Sequence, residues 1–350
     1  MTLKEIAKEA NVSVSTVSRV INKKNTKAAS KEVQERIWDI VRKSGYTPNT
    51  TAQRLKSGNS EEPIIAASKY IACIYARTNT NSSDPFFSQI AKAIEQEAFN
   101  HSYFIRHTFT AFDILQHQIN FEMSQLSVDG VVLLGRYDNQ LLNFFNKNYK
   151  NVVYTGLNPM GSQYDQVVCD GNDITFTALS YLKELGHTKI GYIGEQACEV
   201  RFTAFKESLA KLELPFYQRN TANIKHSADG GYQGANLLIR GKADISAIFC
   251  ANDATAIGAI HALKEHGFRI PEDISIISVD DIDTAQYLSP MLTTVHIPTE
   301  DLGKMAAKTL LDRIEGGHRL PVKISLPFYI AKRDSCCKFS THQKSFASPK

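Results

Sequence analysis

Between Ser13 and Asn22 the sequence places an apolar group, hydroxyls and a guanidinium along one short stretch. Val17, Val20 and Ile21 recur at helical spacing and turn inward, which leaves Val14, Ser15, Ser18 and Arg19 facing out. A guanidinium so placed can donate twice to a guanine edge. Val14 can touch a thymine methyl, and Ser15 can bond in either sense. Ser13 stands where an N-cap belongs, and Asn11-Val12 breaks a preceding helix that runs from Leu3 to about Ala10. Thr2-Leu3-Lys4-Glu5 reads as that helix's capping box. Two short helices joined by a tight turn form a helix-turn-helix, the motif that lays its second helix in the major groove. Ser30 caps a third helix, about Lys31 to Ser44, which closes a small core with Val33, Ile37, Ile40 and Val41. Periodicity alone also fits a three-helix structural bundle.

Charge favours the nucleic-acid reading. The 350-residue chain carries a net +4, but residues 1–60 hold eight Lys and four Arg against four Glu and one Asp, a local +7. The rest of the chain, with 28 basic and 31 acidic residues, stands at −3. A basic head on a slightly acidic body is the footprint of a phosphate-binding module. Other chemistries lack their marks. The six cysteines form no C-x-x-C pair, and most lie in apolar surroundings, so they are expected to be buried, reduced thiols. No G-x-G-x-x-G, P-loop, G-x-S-x-G or H-E-x-x-H is present, and none of the ten His has a ligand partner at metal spacing, so neither catalysis, a cofactor nor a metal is expected. Met1 leads directly into polar residues and no apolar run reaches 18, so neither leader peptide nor membrane span is expected and the cytoplasm is the expected compartment.

Beyond the polar stretch Ser57–Pro63 the pattern changes. Apolar runs at 71–76, 130–134, 152–154, 167–169, 190–193, 247–250 and 274–279 alternate with amphipathic stretches at 87–100, 173–185, 254–266 and 300–315. Such alternation predicts doubly wound parallel α/β sheets, and its length suits two lobes with a crevice at the strands' carboxyl ends. The expected domains are a headpiece (1–48), a hinge and linker (49–63), a two-lobed domain (64–334) and a disordered tail (335–350).

The run from Leu3 to Asn22 closely resembles the headpiece of the lactose/galactose (LacI/GalR) repressor family, and Gly45-Tyr46-Thr47-Pro48-Asn49-Thr50-Thr51-Ala52-Gln53-Arg54-Leu55 resembles its hinge. Asp84-Pro85-Phe86-Phe87, Leu185-Gly186-His187, Cys250-Ala251-Asn252-Asp253, Ser278-Val279-Asp280-Asp281 and Leu292–Ile297 extend the resemblance across residues 70–334, in the branch containing the evolved-β-galactosidase repressor. The resemblance implies a sequence-specific repressor of carbohydrate-utilisation genes that binds a palindromic operator as a homodimer. Its effector would be a small sugar, of galactoside type on the branch likeness. Val14, Ser15 and Arg19 would read bases, while Thr16, Ser18 and Asn22 would hold phosphates. Asn49 and Ala52 would belong to a minor-groove hinge helix, with Leu55 its wedge.

Family position and chemistry together select the ligand contacts. Phe86 and Phe87 offer aromatic faces to a sugar or a base, or pack a helix start. Arg201 offers a fixed fork of donors. Asn252 and Asp280 follow strands at the crevice end and can exchange hydrogen bonds with hydroxyls. Asp253 and Asp170 are each a contact or a helix cap. Two other functions stay open: the same fold with a nucleobase or phosphoprotein co-repressor, and a sugar-binding α/β protein without a DNA role.

Overall fold

A computed structural model describes residues 3–21, 29–44, 69–76, 84–110, 128–136 and 139–340. The chain divides into two units, Met1–Ala66 and Ala67–Lys350.

The first unit holds α1 (Leu3–Glu9), α2 (Val14–Ile21) and α3 (Lys31–Ser44). Ile6, Ala7, Ala10, Val17, Val20, Ile37 and Ile40 form its buried core. The turn between α1 and α2 needs a left-handed residue, and Asn11, at φ 53°, supplies it. The Ser13 hydroxyl accepts from the Thr16 amide at 3.1 Å, and the Ser30 hydroxyl from the Val33 amide at 3.4 Å, so both expected caps form. Thr2 lies outside the described residues.

The second unit is built on two sheets. The first orders its strands β11-β5-β4-β3-β1-β2 and the second β12-β10-β9-β8-β6-β7. In the first sheet β1 is Tyr70–Tyr75, β2 Phe104–Thr110, β3 Gly130–Leu134, β4 Val152–Gly156, β5 Asp165–Val168 and β11 Lys323–Ser325. In the second, β6 is Ile190–Gly194, β7 Thr221–Asn223, β8 Ala247–Cys250, β9 Ser275–Asp280, β10 Thr293–His296 and β12 Tyr329–Ala331. All neighbours run parallel except β12, which is antiparallel to β10. Helices cover them: α4 (Pro85–Asn100), α5 (Asn139–Asn148), α6 (Gly171–Glu184), α7 (Val200–Lys211), α8 (Ala228–Arg240), α9 (Asp253–Glu265) and α10 (Thr299–Glu315).

The continuous apolar runs become central strands because helices bury both faces of a parallel sheet; β3, β8 and β9 are buried along their whole length. Register then aligns the strand ends. Tyr75 pairs with Leu134, and Leu134 with Thr155, so the loops after β1, β3 and β4 leave the first sheet side by side. Pairing of Tyr192 and Ile277 with Phe249 does the same for β6, β8 and β9. The chain passes between the sheets three times, after β5, β10 and β11. Helices α8 and α9 pack with backbones almost touching. A Cβ on Gly258 would lie 1.8 Å from the Ala228 carbonyl oxygen, and one on Gly231 1.9 Å from that of Thr255, so only glycine fits either place.

The expected boundary at residue 335 needs correction. Ser335 is fully buried: its hydroxyl donates to the Ile276 carbonyl at 2.6 Å and accepts from the Thr293 amide at 2.8 Å. The Cys337 amide donates to Ser275 Oγ at 3.1 Å, and the Phe339 amide to the Leu185 carbonyl at 2.8 Å. The second lobe therefore continues to Ser340. His187 helps to anchor it. Its Nε2 lies 3.0 Å from the Cys337 carbonyl, which can only accept, so Nε2 carries the proton and Nδ1 faces Ser246 Oγ.

Candidate DNA-reading helix and ligand crevice

Helix α2 turns Val17 and Val20 inward and leaves Val14, Ser15 and Arg19 exposed, with Thr16 and Ser18 half-buried. Ser13 orders this face further. Its hydroxyl lies 2.8 Å from that of Ser15 and 2.8 Å from that of Thr16, which fixes all three at the helix start. The arrangement offers a guanidinium, a methyl surface and three hydroxyls on one open side. Asn22, Asn49, Ala52 and Leu55 lie outside the described residues, as does the whole of 49–63.

In the second unit the aligned strand ends converge on a crevice between the sheets. Its walls carry Phe86 and Phe87 from α4, Gly135 and Arg136 after β3, and Leu157 and Asn158 after β4. From the second lobe come Glu199 and Arg201 at the start of α7, Asn252 after β8 and Asp280 at the end of β9. Phe86, Phe87, Arg201, Asn252 and Asp280 were expected from sequence, and the fold brings all five together. The two rings meet edge to face, centroids 5.1 Å apart. Asp84 caps α4 through the Phe86 amide at 3.0 Å, and Pro85 begins the helix with its φ already set.

Arg201 is buried. Its Nε donates to Glu199 Oε1 at 2.7 Å and its Nη1 to the Ala251 carbonyl at 2.7 Å. Burial opposes its charge, but the Glu199 carboxylate, with Asp280 nearby, outweighs this and raises the guanidinium above its ordinary range. Glu199 is also held from the first lobe: Arg136 Nη1 reaches its Oε2 at 3.0 Å, and Arg136 Nη2 reaches Glu195 at 2.7 Å. Asn252 divides its amide between two tasks. Its Oδ1 accepts from the Thr255 amide at 3.0 Å as the cap of α9, which leaves the NH₂ to face the crevice. Asp280 ends β9 at φ 118°, a conformation that L side chains rarely adopt.

Two expected contacts stand elsewhere. Asp253 is fully buried and accepts from Ser278 Oγ at 2.5 Å, Thr294 Oγ1 at 2.6 Å and the Ile282 amide at 2.8 Å. It ties β8, β9 and β10 together and does not line the crevice. Burial raises its pKa from the usual carboxylate range to about 6, against the three hydrogen bonds that lower it. Asp170 caps α6 through the Asn172 amide at 2.9 Å, so the cap reading is the one the structure shows. Sequence reasoning missed Arg136, Glu199 and Asn158. Each follows a strand or precedes a helix, but none stands in a motif. Cys198 departs from the expectation of buried thiols: it is exposed, whereas Cys73, Cys169 and Cys250 are buried. Among the described residues no cluster of His, Cys, Asp or Glu could hold a metal ion. No helix among them is long and apolar enough to cross a membrane.

A helix-turn-helix unit followed by a two-lobed α/β binding domain defines the class of ligand-responsive transcription regulators. Residues 2–49 match the model of bacterial regulatory proteins of the lacI family, and residues 179–336 match that of the periplasmic binding protein-like domain. The HTH-type transcriptional repressor MelR of Bacillus subtilis (strain 168) is 30% identical over 349 residues, covering 95% of this chain and 97% of its own. The HTH-type transcriptional repressor PurR of Yersinia pestis (strain Pestoides F) is 29% identical, covering 95% and 96%. The chain belongs to the lacI family of bacterial regulatory proteins. Among solved structures, the CelR–cellobiose complex superposes with a TM-score of 0.70 at 25% identity, covering 96% of this chain and 99% of that one. A ribose-bound lacI-family regulator of Enterococcus faecium gives 0.66 at 27%, covering 77% and 100%. The lac repressor dimer bound to operator and the anti-inducer ONPF shares the fold, with a TM-score of 0.77 at 22% identity over 96% and 99%.

Proposed function

We propose that this chain is a cytoplasmic repressor, with no catalytic role, that binds a palindromic operator as a homodimer and answers to a small sugar held in the crevice. The observation that carries the proposal is the crevice wall. A carboxylate (Asp280), a free amide NH₂ (Asn252), two guanidinium groups (Arg136 and Arg201) and an aromatic pair converge at aligned strand ends. Hydroxyls need both donors and acceptors, and a sugar's apolar face needs an aromatic surface. The relatives named as repressors and the regulators solved with cellobiose and ribose support this reading. A nucleobase could use the Phe86–Phe87 pair, but their edge-to-face contact presents no parallel slot for a flat base.

Val14, Ser15 and Arg19 read base edges in this scheme, while Thr16, Ser18 and Asn22 hold phosphates. Asn49, Ala52 and Leu55 follow in the hinge. One headpiece makes too few contacts for tight specific binding, which is the physical argument for a dimer on two half-sites. The effector acts by binding one arrangement of the lobes better than another; without that difference nothing shifts. The test is a mobility shift with genomic fragments across a salt series, paired with a thermal-shift panel of sugars, glycosides and purines. Selective DNA retention relieved by a sugar is the expected result. No preference among fragments, whatever is added, would overturn it.

A further inference from the structure

The crevice does not end at Arg136. On the far side of Arg136, Asn158 and Glu199, which line both spaces, lies a second and wider chamber of about 510 Å³. The crevice itself leaves only about 30 Å³, room for two or three waters. Ligand pockets typically run from about 300 to 1,000 Å³. The wider chamber therefore has the size of a ligand site while the inner crevice, as it stands, does not.

The chamber's walls have a chemistry of their own. Tyr154, Tyr164 and Met160 supply apolar and aromatic surface; Gln163, Asn172 and Thr203 supply amides and a hydroxyl. The Tyr164 hydroxyl accepts from Asn146 Nδ2 at 3.0 Å, which fixes its ring at the chamber wall. Asn172 is fixed by Asp170, which accepts from both its amide and its side-chain Nδ2 at 2.9 Å. This mixture of ring faces and neutral hydrogen-bonding groups suits a second pyranose ring better than it suits an ion.

We infer that the wide chamber is a second sugar subsite, and that the effector is a disaccharide or glycoside whose rings lie on either side of Arg136. The inference rests on the sugar-effector reading and deepens it. The outer ring finds a space already formed. The inner ring enters the crevice as Arg136 exchanges Glu195 and Glu199 for ligand hydroxyls, so both subsites report on the same cross-lobe contact. Arg136 is the specificity-determining residue at the junction.

Calorimetric titration of the full chain with paired probes tests this: glucose against cellobiose, and galactose against lactose. In the pair that binds, the disaccharide is expected to bind at least tenfold more tightly than its monosaccharide. Two variants act on the chamber alone. Thr203→Trp fills it from an exposed position, and Tyr164→Ala removes its aromatic wall. Each should erase the tenfold advantage while leaving monosaccharide affinity within about twofold and operator retention intact. Equal affinity for one-ring and two-ring probes, or equal loss of both in Thr203→Trp, overturns the second subsite and leaves the sugar reading standing. Binding of a purine with no sugar of either size overturns that reading and the subsite with it.

Discussion

Arg136 and Glu199 meet at 3.0 Å across the crevice, one carried on the first sheet and the other at the start of a helix on the second. Glu199 is almost wholly buried and is shared, because its other oxygen holds Arg201 at 2.7 Å. The same Arg136 also reaches Glu195 and the Cys198 carbonyl, at 2.7 and 3.2 Å. One side chain of the first lobe thus staples a whole loop of the second, on the wall that the crevice and the wider space beside it share.

Removing that staple should cost stability, but only in part. Arg136→Gln leaves Glu199 with Arg201 as its counter-ion, so the loss is on the order of 1–3 kcal/mol, below that of orphaning a buried charge. The expected outcome is a melting temperature lower by a few degrees in calorimetry. Arg136→Lys should fall between, since an ammonium lacks the fork that reaches two carboxylates together. An unchanged melting temperature in Arg136→Gln would mean that the staple adds nothing to stability.

Asp280 combines a carboxylate on the crevice wall with a strained backbone. At φ 118° any Cβ is unfavourable, whatever the side chain beyond it. Asp280→Gly and Asp280→Ala both delete the carboxylate, and only glycine relieves the backbone. The glycine variant should therefore be the more stable of the two by about 1–3 kcal/mol, while both lose their response to the effector. Equal stability in urea titrations would show that the conformation carries no cost.

Much of this was legible because the signals are local. The helical spacing of Val17, Val20 and Ile21, with caps at Ser13 and Ser30, placed all three helices of the first unit. Unbroken apolar runs marked the central strands, since parallel strands are buried on both faces. The edge strands β2, β7, β11 and β12 carry no such run: Lys323–Ser325 and Tyr329–Ala331 are half-exposed and read as loop. The crevice was legible wherever a polar residue ended a predicted strand, as Asn252 and Asp280 do. Arg136 was not, because its role depends on a partner 63 residues away in the other lobe. Asp253 misled for the opposite reason: a carboxylate after a strand can face a ligand or its own lobe, and only the positions of Ser278 and Thr294 decide.

Arg19 is the residue on which sequence discrimination should turn. A bidentate contact to a guanine edge is typically worth about 1–3 kcal/mol. Arg19→Ala should weaken operator binding by that amount, a loss of roughly tenfold to a hundredfold, with little change on unrelated fragments. Val14→Ala, which shortens an apolar contact, should lose less. Competition mobility shifts at fixed salt read both. Undiminished operator preference in Arg19→Ala would remove α2 from the reading role.

Asp253 gives a pH dependence of unusual sign for a carboxylate. In the unfolded chain it titrates near 3.8; in the folded chain burial raises this to about 6. Between those values the folded state keeps a proton that the unfolded state has shed. Stability from this group is thus full below about pH 4 and is lost as pH rises through about 6. Asp253→Asn cannot titrate, and it sets an NH₂ or an amide oxygen against the Ile282 amide and the hydroxyls of Ser278 and Thr294, so it loses at least one acceptor and is destabilised. The stability gap between wild type and Asp253→Asn should accordingly be wider at pH 4.5 than at pH 7, by about 1–3 kcal/mol. Taking the difference cancels carboxylates of the ordinary kind, such as Asp165, which Arg313 and His318 hold low against burial and which lose stability as pH falls. A gap that stays constant from pH 4.5 to 7 would show that Asp253 is ionised throughout, and that its three hydrogen bonds outweigh its burial.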